Sequence, residues 1–527
     1  MTTLERTDTA RDGMPTVEAS THDVVEETVK LGPHHRLLLI IVGAATLAAV
    51  AAPFHMTKLL LGAALALTGM VLLVKFDERF VGLYVLMLPT LQLVPIEALG
   101  VTAFNWQTLF LLVFGAAAAL APSLPPRVAA TTWIGIFSVL LVASAFYAWL
   151  VQGLPFSPVF QLVKNWLFPF MLFVVGRRYV SDRKALWFLV VCVALVSVAQ
   201  SLQALRGAVS SSNLLRDRPG GMLTGQPNLF AGYLAIYGLV CLFAARAAQI
   251  RRPARLMLSS AGLVLIVTLI FTLSRGAWMA FIVTTIIFGA ATNRRLVLLL
   301  VIALALGYRW IPEAAVSRTE TTLDSVELSG DSSLEDSMDD SAALRIVQWK
   351  AFPEIFVAHP IWGTGLNTYA SQLGHITGIY RSPHSTIIQI GTEMGALGLI
   401  AYLGLLISTA YICIRRAYSA PPRSLERYVG LGVASATVCL FLLDFTGTRS
   451  RANTVTTYFW LLVGAFLGAT EHHSPADDDR PPQLGGYLHE GNSYGTSETD
   501  QMADGRARHD ADAATQHSLA FPRGILQ

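Results

Sequence analysis

From about residue 37 to residue 470 the chain is a succession of apolar runs, and no other feature limits its fold so tightly. Each run is close to the ~20 residues an α-helix needs to cross ~30 Å of hydrocarbon. In lipid the backbone must satisfy its own hydrogen bonds, so isolated spans of this kind can only be helical. The runs fall near 37–54, 59–74, 80–96, 105–121, 132–151, 157–176, 185–203, 228–247, 255–272, 275–291, 295–311, 385–414, 428–447 and 454–470. The expected fold class is an all-α polytopic membrane protein with about 12–14 transmembrane helices. Composition agrees: 14% of the 527 residues are charged, against about 25% in a soluble domain. That is too little charge to coat the several soluble domains a chain of this length would form. The net charge of +3 is small and spread out, so it is not the footprint of a nucleic-acid binder. Cys192, Cys241, Cys413 and Cys439 each lie inside an apolar run and are expected to be buried free thiols.

Lys and Arg in the short connections orient the spans. With a cytoplasmic N-terminus, the inner connections hold seventeen of them and the short outer connections eight. Both termini are therefore expected in the cytoplasm. Three segments lie outside the spans. Residues 1–36 read as a polar cytoplasmic tail, and 471–527 as a disordered cytoplasmic tail with few aliphatic residues. Residues 312–384 form a large outer loop between the first eleven helices (37–311) and the last three (385–470), and loops of this length are usually functional. The loop opens with an acidic strap from Glu313 to Asp340, carrying nine carboxylates and one Arg. An amphipathic helix over about 341–358 follows, its apolar face made of Leu344, Val347, Ala351 and Ile355, with Asp339 or Asp340 as cap. Such a helix suits the outer membrane surface.

Ionisable groups in or beside spans are costly and read as functional by default. Arg275 sits at the outer mouth of its span, where guanidinium suits a phosphate, whereas Lys164 equally suits snorkelling to the interface. Asp444 is expected to pair with Arg449 or another arginine. Glu393 lies deep enough to need a partner, either a base that it orients or a neighbouring helix. Arg216 and Arg218 flank a Gly-rich turn that leads to Asn228, and Asn228 or Gln226 can cap the next helix. In Arg381-Ser-Pro-His384-Ser, Ser382 is expected to be the N-cap, with Pro383 at the first helical position. His384 then falls in a helix's first turn, where the positive end of the helix dipole keeps imidazole neutral and able to accept a proton. No Asp or Glu stands at metal-ligand spacing from it, so neither a metal nor a cofactor is expected.

Several pieces together resemble the O-antigen ligase and polymerase superfamily of bacterial membrane glycosyltransferases. These are Thr224-Gly-Gln-Pro-Asn228, Ser274-Arg-Gly-Ala-Trp278, Arg345 with Trp349, Pro360-Ile-Trp-Gly-Thr-Gly365, and His384 followed by Glu393-Met-Gly-Ala-Leu-Gly398. The resemblance runs from about Leu223 to Ile414, and its specificity lies in the order and spacing of the pieces. It implies a fold of the lipid-dependent glycosyltransferase type. The implied activity transfers glycan from undecaprenyl pyrophosphate to a glycan, lipid or protein acceptor on the outer side of the inner membrane. His384 resembles the family's acceptor base, Arg275 its donor-pyrophosphate arginine, and Arg345 its loop arginine with Trp349 in support. Arg216, Arg218, Asn228, Lys164, Arg381 and Glu393 are the further candidates for substrate contact. Ser385 departs from the family's Asn after the histidine. The competing reading is a flippase or other transporter of lipid-linked sugars, for which the chain lacks an internal repeat.

Overall fold

The computed structural model describes residues 81–82, 85–86, 128–210, 218–221, 224–292 and 341–471. The expected spans at 37–54, 59–74, 105–121 and 295–311 lie outside these residues, as do Arg216, Asp339 and Asp340, the acidic strap and both tails. Among the described residues every regular element is helical, and the protein is an all-α polytopic membrane protein. The helices are α1 (Ala129–Phe146), which runs on through a π-helical turn (Tyr147–Val151), α2 (Phe156–Tyr179), α3 (Arg183–Ser210), α4 (Pro227–Ala244), α5 (Arg252–Phe271), α6 (Arg275–Thr292), α7 (Ser341–Ala358), α8 (Tyr369–Thr377), α9 (Thr386–Ser419), α10 (Leu425–Phe445) and α11 (Asn453–Glu471). Eight of them, α1 to α6 with α9 and α10, are long and apolar enough to cross a membrane. The run expected at 454–470 is helical as α11 but falls outside that set.

α11 is nevertheless the most enclosed helix, with every residue from Val455 to Ala469 buried. A helix apolar on all sides belongs at the centre of a bundle. It packs most extensively on α2. Gly464 and Gly468, four apart, make this possible: a Cβ at Gly464 would lie 2.0 Å from the Phe173 carbonyl oxygen, and one at Gly468 2.5 Å from that of Arg177. Gly176 of α2 returns the contact against Leu461. Small residues at such spacing let helix backbones approach where lipid offers no hydrophobic drive. At the far end of this pair, Arg177 Nε donates to Glu471 Oε1 over 2.9 Å, and Arg416 Nη1 donates to the Leu467 carbonyl over 2.8 Å.

The expected single span at 385–414 is a broken helix. At Gly395 the backbone of α9 takes φ 64° and ψ −159°, a conformation open essentially to glycine alone. The freed backbone groups find partners in the segment Pro360–Gly365. Thr364 N and Gly365 N donate to the Thr392 and Glu393 carbonyls over 2.8 and 3.0 Å. Ala396 N donates to the Pro360 carbonyl over 2.8 Å. Irregular backbone among spans is tolerated only where protein satisfies it in this way. From α1, Ser144 Oγ also donates to the Glu393 carbonyl over 3.0 Å, locking the inserted segment between two helices. Gly395→Ala adds about 1–3 kcal/mol of backbone strain and a Cβ only 2.4 Å from the Ile361 carbonyl oxygen. A marked fall in the thermal unfolding temperature of the full chain in detergent is expected. Gly135→Ala, whose Cβ meets nothing within 4 Å, is the matched control and should leave that temperature unchanged.

α7 is the helix expected over 341–358. Its apolar face is not left for lipid: Ala351 and Ile355 are buried against Tyr369 and Leu373 of α8 and Ile388 of α9. The four cysteines are free and buried.

Candidate functional site

The ends of α2, α4, α9, α10 and α11 meet α7 around a cavity of about 390 Å³. Its lining includes Asn165 of α2, Thr224, Gln226 and Asn228 at the start of α4, Arg345 of α7, the strand of chain from Ser382 to His384, and the turn from Gly447 to Thr454. Asn165 lies nine residues into α2, about 14 Å along its axis at 1.5 Å per residue, so the cavity dips into the bundle.

His384 is not in the first turn of a helix. The N-cap is Ser385, whose Oγ accepts from Ile388 N at 3.4 Å, and α9 starts at Thr386. Ser382 cannot cap because its segment is held in another way. Gln348 of α7 donates through Nε2 to the Ser382 carbonyl over 3.1 Å, and its Oε1 accepts from His384 N over 2.9 Å. Both ends of one buried amide therefore grip the histidine's segment. His384 still has a pKa below its ordinary value of 6.5, but for reasons other than a helix dipole. Burial is the larger cause, followed by the positive charges of Arg345, Arg449 and Arg381. Ser385, the departure from the family pattern, turns its hydroxyl inward and donates to the Asp444 carbonyl over 2.9 Å.

Asp444 does not take a guanidinium. Its carboxylate accepts from Thr386 Oγ1 over 2.5 Å, from the Tyr402 hydroxyl, from Ser450 Oγ over 2.5 Å, and from the backbone N–H groups of Arg449 and Ser450 over 3.1 and 3.0 Å. Hydroxyls and amides satisfy it completely, so the acid shapes the Gly447–Ala452 turn and leaves the Arg449 side chain to the cavity. Arg345 enters from α7 and donates through Nε to the Thr446 carbonyl over 3.1 Å, on the same turn. Burial and the charge of Arg345 push the Arg449 pKa down to about 10, with Asp444 opposing the shift. The pKa of Arg451 is likewise lowered, by burial against the opposing charge of Glu393.

Of the residues singled out in the sequence, His384, Arg345 and Asn228 line the cavity. Arg218 stands directly behind it, donating through Nη2 to Asn228 Oδ1 over 3.0 Å and through Nε to the Thr272 carbonyl over 2.7 Å. The Asn228 side chain is thus an acceptor for Arg218 and not a helix cap. The N-cap of α4 is Gln226, without a side-chain bond. Lys164 is next to Asn165 but does not line the cavity, and Arg381 is exposed one residue before the lining segment. Arg275 is the first residue of α6 and also lies outside the lining. Its neighbour Gly276 presses on Thr446, which a Cβ there would meet at 2.6 Å. Trp349 faces away, stacking on Phe445 with ring centroids 6.1 Å apart and thereby fastening α7 to α10. Glu393 is buried at the break in α9, where Gln389 Nε2 donates to it over 3.0 Å. Sequence reasoning overlooked Arg449, Arg451, Gln348 and Asn165 as site residues. The available signal for the first two was the run Gly447-Thr-Arg-Ser-Arg451, two cations in a short turn between apolar helices.

Among the described residues the lining is therefore one neutral histidine, three arginines, amide and hydroxyl groups and a few apolar side chains, with no acidic side chain. Groups of this kind are chemically suited to an anion beside a proton acceptor. Residues 260–403 match a family model described as O-antigen ligase. The matched stretch carries Arg275, Arg345 and His384 and ends before the Gly447–Ala452 turn. No curated protein matches the chain.

Proposed function

We propose that this chain, whose residues 260–403 match the O-antigen ligase family model, is a glycosyltransferase of the O-antigen ligase and polymerase superfamily and transfers glycan from an undecaprenyl-pyrophosphate donor to an acceptor hydroxyl at the outer face of the cytoplasmic membrane. The superfamily accounts for glycosyl transfer in a membrane. The finer reading is carried by one observation, the neutral histidine facing three arginines in a cavity whose described lining holds no carboxylate.

In this reading the donor's pyrophosphate occupies the arginine-lined part of the cavity. His384 takes the proton from the acceptor hydroxyl as its oxygen attacks the anomeric carbon. The bond from that carbon to the phosphate oxygen breaks, and the electron pair leaves with undecaprenyl pyrophosphate. Fixed guanidinium groups stabilise the charge that develops on the leaving group, so the step requires no metal. A single displacement inverts the anomeric carbon. Sidedness rests on the basic connections at the other end of the helices: Arg177, Arg178, Arg183, Arg246, Arg251, Arg252, Arg415, Arg416, Arg423 and Arg427 all fall at helix ends remote from the cavity.

Glycan analysis of a strain lacking the protein tests the reading. Accumulation of full-length lipid-linked glycan on the outer face is the result expected of a ligase. Chains of a single repeat unit are the result expected of a polymerase. Lipid-linked sugar held on the cytoplasmic face would instead mark a flippase and end the proposal.

A further inference from the structure

We infer that Arg449, on the turn between α10 and α11, is a principal binding residue for the pyrophosphate group, acting with Arg345 from α7. The inference deepens the reading above and relies on it for the nature of the ligand. It adds a contact from outside the stretch that matches the family.

Arg449 is 4% exposed yet lines the cavity, and its Nε is buried with no hydrogen-bond partner. Of its remaining donors, Nη1 gives one bond, to the Thr446 carbonyl over 3.2 Å. A buried guanidinium with an unmet donor is costly unless an anion completes it. Asp444, the described carboxylate whose charge acts on Arg449, is already saturated by hydroxyls and backbone amides. Two of its five bonds come from the amides of Arg449 and Ser450, so the acid fixes the turn without neutralising the arginine by direct contact.

The path of the side chain is cleared by glycines. A Cβ at Gly447 would lie 0.8 Å from Arg449 Nη1, and one at Gly232 of α4 would lie 3.0 Å from its Cγ. Arg345 donates to the carbonyl of Thr446, the same oxygen that accepts from Arg449 Nη1. The two guanidinium groups are thus drawn to one point despite their mutual repulsion, an arrangement suited to a ligand bearing more than one negative charge. Guanidinium forks match phosphate oxygens in pairs, which a single ammonium cannot do.

The test is calorimetric titration of the purified full chain in lipid nanodiscs with inorganic pyrophosphate. Arg449→Ala is expected to weaken binding about tenfold or more, the ~1.4 kcal/mol equivalent of one lost charge-assisted contact. Arg449→Lys should recover only part of the affinity. Thermal unfolding of each variant reports whether it is folded. Should Arg449→Ala fail to fold, Gly447→Ala displaces the guanidinium while keeping its charge, and the same loss is expected. Unchanged affinity in a folded Arg449→Ala or Gly447→Ala variant would overturn the inference. In a second arm, a polyprenyl pyrophosphate carried in the nanodisc competes with the inorganic anion. Displacement that depends on Arg449 supports a lipid-borne group. If the inorganic anion binds through Arg449 but the lipid never displaces it, the anion seat stands and the glycosyl-transfer reading falls, so the two failures are separable.

Discussion

His384→Ala is expected to abolish glycan transfer while leaving the protein folded in the membrane. A positioned general base contributes about 10²–10⁴-fold, and among the described residues the cavity lining holds no second proton acceptor of comparable basicity: the other groups are guanidinium, amide, hydroxyl or apolar. The pH profile carries a sign. Burial and the three arginines hold the imidazole pKa below 6.5, so the neutral, competent form predominates at pH 7. Activity should therefore be flat through neutrality and fall only as the pH drops below 6.5. Arg345→Ala removes one of the charges that depress the pKa, so in the residual activity of that variant the acid limb should move to higher pH. An assay with purified lipid-linked donor across pH 5–8 reads both effects. Full activity in His384→Ala, or an acid limb that does not move in Arg345→Ala, would refute this account of the base. Gln348→Ala separates holding from catalysis. It frees the His384 segment, and kcat should fall while donor binding is retained, with Gln348→Asn failing to restore it because its amide is one methylene short.

Asp444→Ala is expected to have the largest effect on stability. It strands two backbone N–H groups and three hydroxyl donors in the interior of the bundle. An unsatisfied buried donor costs about 1–3 kcal/mol. The hydroxyls can turn to other acceptors, but the amides of Arg449 and Ser450 cannot, so a loss of about 2–6 kcal/mol follows from those two alone. Asp444→Asn keeps one acceptor oxygen and should fall between the two. Thermal unfolding in detergent and the amount of protein recovered from membranes measure the loss. An Asp444→Ala protein that unfolds at the wild-type temperature would show that the turn is held by something other than this carboxylate.

The described spans and the helix over 341–358 were legible because each depends on a local pattern. A run of ~20 apolar residues reports its own helix, and spacings of three and four report a face. The site was legible only in part. Arg345 and His384 stand in recognisable contexts, whereas the start of α9 at Thr386 depended on Gln348, 36 positions away, occupying the segment that Ser382 would have needed. The partner of Asp444 was misread because charge favours a guanidinium in the abstract. The fold instead offers hydroxyls from α9 and amides from the following turn. The break at Gly395 left little trace in a hydrophobic run, since its cause is the insertion of residues 360–365 from another part of the chain.

α7 and α8 rest on a small apolar cluster of their own, Ala351, Ile355, Tyr369, Leu373 and Ile388, separate from the main core. This side of the cavity therefore packs on a cluster distinct from the core of the bundle. Small cooperative units of this kind open at lower free energy than the whole protein. Arg345 and Gln348 both ride on α7, so each local opening withdraws a cation from the cavity and releases the histidine's segment in the same event. A substitution that loosens Ile355 or Leu373 is therefore expected to disturb the Arg345 guanidinium and the His384 segment together without touching either.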